Sequence, residues 1–129
     1  MRLLPGRYRN SVSYDEAITI REGAFWFLEP AIRENCSGYM DYSHWGHTVI
    51  PRREWVAVLS DWQALKRRLQ VVPLPLQLGV LKFVPIDDRR TFLRDFARNC
   101  RKLVALIDQL SLWINTELEI SEEISILGI

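Results

Sequence analysis

The alternation of apolar and polar residues changes character near Ile50. Before that point the signals are of strands. Ala17-Ile18-Thr19-Ile20 alternates, Arg21-Glu22-Gly23 supplies a short turn, and Ala24-Phe25-Trp26-Phe27-Leu28 is apolar on both faces, as a central strand would be. Two such runs separated by three residues that include glycine predict a β-hairpin. Glu29-Pro30 ends it, because proline has no N–H to give to the ladder. A further strand is expected at His47-Thr48-Val49-Ile50.

Beyond Ile50 the spacing is helical. Pro51 suits the first position of a helix, and Glu54 in the first turn complements the helix dipole. Apolar residues recur at Trp55, Val58, Trp62, Leu65 and Leu69, which predicts an amphipathic helix over residues 51–70. A second seam, Leu93, Phe96, Cys100, Leu103, Ile107, Leu110 and Ile114, alternates gaps of three and four. It predicts one long helix over residues 87–118, about 45 Å on the α-helical rise. The connection, 71–86, alternates Val72, Leu74, Leu76, Leu78 and Val80 with Pro73, Pro75, Gln77 and Gly79. That pattern predicts an extended, edge-like segment laid over an apolar surface. The tail, 119–129, is acidic and then apolar, and its conformation stays open.

The expected architecture is therefore α+β: a small antiparallel sheet from the N-terminal half on an antiparallel pair of helices from the C-terminal half. With 129 residues the chain reads as a single domain, β-rich over 1–50. Because the first helix is too short to cover the second, the seam around Leu110, Trp113 and Ile114 is expected at the twofold axis of a homodimer.

Composition adds exclusions. Lys+Arg 17 against Asp+Glu 16 gives a formal net charge of +1, so no overall field calls for nucleic acid or a membrane. No apolar core follows the basic N-terminus, no run reaches the roughly 20 residues of a membrane span, and the two cysteines build no disulfide framework. A soluble, cytoplasmic protein without membrane contact is the expectation.

Three constellations are candidates for chemistry. Cys36, Asp41, His44 and His47 lie within twelve residues and are competent zinc ligands, but they lack a paired Cys-x2-Cys spacing. Cys36 with His44 or His47 would also be the pair of a thiol nucleophile, and a metal-dependent enzyme at Cys36/His44/His47 ranks third among the functions. Arg90, Arg94, Arg98 and Arg101 fall at helical spacing and form a stripe that could follow a phosphate backbone. A solvated helix face is the commoner explanation. The densest signal is aromatic: Tyr39, Asp41, Tyr42, His44, Trp45 and His47 crowd one irregular loop, and Tyr and Trp dominate binding hot spots. No glycine-rich phosphate loop, Gly-x-Ser-x-Gly elbow or convergent acid–base pair is present, so neither catalysis nor a cofactor is expected.

The run Gly38-Tyr39…Trp45-Gly46…Thr48-Val49-Ile50-Pro51…Glu54-Trp55 resembles small bacterial immunity proteins of polymorphic and contact-dependent toxin systems. The likeness covers about residues 15–70 and carries no functional residue across. It implies a non-enzymatic protein that neutralises a partner, such as a cognate toxin, by surface occlusion. The alternative is a nucleic-acid-binding or regulatory module that uses the arginine stripe.

Overall fold

A computed structural model describes residues 1–8, 15–39, 46–71 and 74–128 of the chain. Among the described residues four strands, β1 (Arg2–Pro5), β2 (Ile18–Thr19), β3 (His47–Pro51) and β4 (Glu123–Leu127), form one antiparallel sheet in the order β2-β1-β4-β3. Four α-helices among the same residues accompany it: α1 (Glu22–Asn35), α2 (Arg52–Val71), α3 (Ile86–Arg94) and α4 (Phe96–Ile120). The α+β class expected from the sequence is the one observed.

The predicted hairpin is not. Glu22–Asn35 is helical, with Phe25, Leu28, Ile32 and then Cys36 buried along one side at gaps of three, four and four. That spacing matches a helix as well as the short aromatic run matches a strand, and burial against α2 decides the outcome. Pro30 stands inside the helix and contributes no N–H, a cost that tertiary packing offsets. The Trp62 indole crosses from α2 to donate to the Leu28 carbonyl at 3.0 Å.

The sheet recruits both ends of the chain instead. In β1, Leu3 stands opposite Ile126 and Pro5 opposite Ile124, while in β3 Thr48 and Ile50 face the same two β4 residues from the other side. Leu3, Ile50, Ile124 and Ile126 thus line one face and enter the core. On the reverse face Ser125 is fully buried. Its hydroxyl donates to the Gly6 carbonyl and accepts the Tyr8 N–H, both at 2.8 Å, so this buried hydroxyl is satisfied. Gly6 adopts φ +63, a conformation open to glycine at little cost, and so turns the chain over β4.

Helices α2 and α4 run antiparallel, as their cross-links show: Arg52 reaches Leu118 and Ser121, Gln63 reaches Ser111, and Lys66 pairs with Asp108. Pro51 is the last residue of β3 and pairs with Glu123, so the helix starts one residue later than expected. The Arg52 guanidinium bonds the Leu118 and Ser121 carbonyls and pairs with Glu122 at 3.2 Å. It places a cation on the C-terminal end of α4, where the helix dipole favours one.

The long helix expected over 87–118 is broken. Asp95 leaves helical geometry at φ -136 ψ 63, and the Asn99 side chain donates to the Phe92 carbonyl at 2.9 Å across the break. The break changes which face is buried. Phe92 rather than Leu93 turns inward, its ring 4.4 Å from that of Phe27, while Leu93 is exposed. From Cys100 to Ile114 the seam holds as read, but Leu110 and Ile114 are wholly buried within the one chain and Trp113 partly so. The homodimer axis placed on them loses its premise, since the seam is already covered. The connection is not extended either. Its described part, 74–84, forms two 3-10 turns, Pro75–Gln77 and Gly79–Phe83, with N–H to carbonyl bonds three residues back. Leu78, Leu81 and Val84 are buried at a spacing of three, the period of that helix rather than of a strand.

Candidate functional site

Of the aromatic loop, Asp41, Tyr42, His44 and Trp45 lie outside the described residues. Its two ends do not. At the first, α1 closes with Cys36, whose N–H bonds the Ile32 carbonyl, and Ser37 hydrogen-bonds Glu54 at 3.0 Å. Tyr39 then folds under the turn and is buried. Its hydroxyl donates to Glu29 Oε1 at 2.8 Å, and Arg33 approaches the same oxygen at 3.4 Å. At the second end, the Gly46 carbonyl accepts the Gly128 N–H at 2.9 Å and leads into β3. His47 is exposed there, its ring 5.2 Å from that of Tyr8. The two ends also meet: a methyl group on Gly38 would lie 3.9 Å from Thr48 Cγ2. The segment 40–45 is therefore mounted at both ends on helix and sheet.

Glu29 is the residue that sequence reasoning missed. A carboxylate this buried is rare unless it is paired. The signal was available as Glu29 and Arg33 four residues apart, but only a helix puts them on one side. Assigning 24–28 to a strand hid it.

Cys36 is buried, and burial, reinforced by the Glu54 carboxylate, pushes its thiol up to about 12. Burial also raises the Cys100 thiol. Nucleophiles and metal ligands are thiolates, and burial disfavours that form at both cysteines. Among the described residues no group of three or more His, Cys, Asp and Glu is placed to hold a metal ion, and His44 lies outside them. A cleft of about 400 Å³ opens between α1, α3 and α4 over Phe27, Phe92 and Leu103. Its polar lining is Arg21, Asp88, Thr91, Asn99 and Lys102.

The arginine stripe is divided by the break at Asp95. Arg90 and Arg94 belong to α3, and Arg98 and Arg101 to α4. Arg90 lies 3.7 Å from Asp87 and Arg98 lies 3.9 Å from Asp95, both pairs exposed. No single helix face carries all four. What the fold does instead is collect charge by region. Residues 66–102 hold ten Lys and Arg against three Asp, an excess of seven positive charges. The remainder of the chain, with seven basic and thirteen acidic residues, has an excess of six negative ones. Antiparallel pairing sets the C-terminal end of α2 beside the N-terminal part of α4, with the 3-10 turns and α3 next to them, so the basic stretch becomes one end of the molecule. The sheet and the C-terminal end of α4 form the other.

No family model, curated protein or solved structure matches this chain.

Proposed function

We propose that this chain is a non-enzymatic binding protein that recognises a protein partner through the loop bounded by Tyr39 and His47. The observation that carries the proposal is the buried Tyr39–Glu29 hydrogen bond, which the exposed Arg33 guanidinium approaches from outside. A buried carboxylate is an expensive way to close a turn. It gives fixed ends to a segment rich in Tyr, Trp and His, and recognition residues gather on loops held by rigid scaffolds. Large, rigid aromatic side chains bury much area on binding at low entropic cost. The resemblance to immunity proteins makes the expected partner a toxin that is neutralised by occlusion.

The test uses the full chain as bait in a lysate of the cells of origin, alongside a Tyr42→Ala/Trp45→Ala variant. One polypeptide should be captured, reconstitute a complex from purified components, and bind the variant at least about 30-fold more weakly, the loss expected for hot-spot residues. Co-expression that relieves growth inhibition by that polypeptide would place the pair in the immunity class. Undiminished binding by a folded variant, or no reconstituted complex, refutes the proposal.

A further inference from the structure

The basic end also carries most of the exposed apolar side chains. Among the described residues eight large hydrophobic side chains stay exposed, and Val71, Leu74, Phe83, Ile86 and Leu93 are five of them. They are no by-product of a loose segment. The 3-10 turns bury Leu78, Leu81 and Val84 inward, so Leu74 and Phe83 are the outward remainder of an ordered piece. Arg89 stiffens it by donating to the Val84 carbonyl at 3.1 Å, and the Lys82 ammonium stands 4.8 Å from the centre of the Phe83 ring. The Phe83 ring therefore projects into water with a cation beside it.

We infer that this end docks on the surface of an anionic lipid bilayer, with Leu74, Phe83 and Ile86 entering the headgroup boundary and the Lys and Arg residues of 66–102 meeting the lipid charges. The charge of this stretch is complementary, with seven positive charges in excess, although Glu34 and Asp61 line the recess beside Lys82 and Phe83. The apolar residues decide between anionic partners. Aliphatic side chains gain from a bilayer boundary but have nothing to read on a phosphate backbone. Among the described residues no helix is long and apolar enough to cross a membrane, and surface docking requires none.

The experiment is co-sedimentation of the full chain with vesicles containing about 30 mol% phosphatidylserine in phosphatidylcholine, and with pure phosphatidylcholine, at about 0.1 M salt. The protein should bind the anionic vesicles, bind the neutral ones at least about tenfold more weakly, and dissociate as salt rises. Leu74→Ser/Phe83→Ser/Ile86→Ser should lower binding at least about tenfold, and Arg90→Gln/Arg94→Gln about 20-fold, with unchanged circular dichroism in both. All of these positions are exposed, so the variants fold. No binding to anionic vesicles overturns the inference, as does equal binding to neutral ones. So does full competition by duplex DNA together with indifference to the serine substitutions, which would mark a general polyanion site.

Discussion

The sheet end and the basic end of this molecule treat their apolar side chains in opposite ways. At the sheet end Leu3, Leu4, Ile50 and Ile124 have no exposed surface, and even Ser125 is buried with both of its hydrogen bonds satisfied. The strands there come from residues 2–5, 47–51 and 123–127, so nearly every contact spans most of the chain. At the basic end the order is local. The 3-10 turns bond three residues back, α3 is short, and Leu74, Phe83 and Ile86 remain in water. The difference teaches where stability and binding can reside. Burial of apolar area is the main source of stability, so the sheet end supplies cohesion. Exposed apolar groups contribute nothing to it, and those at the basic end are available to a partner.

The largest expected effect comes from removing β4. A chain ending at Ser121 loses the strand that joins β1 to β3 and should show no cooperative unfolding by circular dichroism in urea. A truncated chain that keeps a cooperative transition would break the comparison. Next comes Ile114→Asp, which buries an unpaired carboxylate at a cost of several kcal/mol. Because the side chain is enclosed within one chain, the variant should unfold, and light scattering should find no well-folded species that has merely changed its state of association. The smallest effect is alkaline. The folded Cys36 thiol keeps its proton up to about 12, whereas the unfolded chain releases it near the ordinary thiol value, about 8.5. The stability that this group contributes is therefore full below that value and falls as pH rises toward about 12. Between pH about 8 and about 10.5, the urea midpoint of the wild type should fall more steeply than that of Cys36→Ala.

The sequence exposed what is local and concealed what is not. Helix α2 was read to within a residue at each end, and the buried seam of α4 from Cys100 to Ile114 was read as found, because a period of 3.6 is written in neighbouring residues. The pairing of Arg2 with Leu127 has no local trace, and so β1 was missed and the tail left open. The aromatic run at 24–28 fits both periods, and only the presence of α2 against it resolves the choice. Leu93 continued the pattern on paper, yet the chain breaks at Asp95 so that Phe92 can meet Phe27. Of the candidate loop, Tyr39 and His47 are legible in the sequence as its bounds, whereas a strand over 24–28 hides Glu29. The basic stretch was visible, and its concentration at one end required the antiparallel pairing of α2 with α4.

The position of β4 also governs the order of events on the ribosome. Of the four described strands it is the last in chain order and a central one in the sheet, and Arg52 closes onto backbone that emerges only just before it. While residues 123–127 are still inside the exit tunnel, β1 and β3 have no shared partner between them, and Leu3 and Ile50 face solvent or a chaperone. Domain closure waits for the end of translation of this stretch. A nascent chain stalled before residue 123 leaves β3 without its partner and β1 paired on the β2 side alone, an aggregation-prone intermediate.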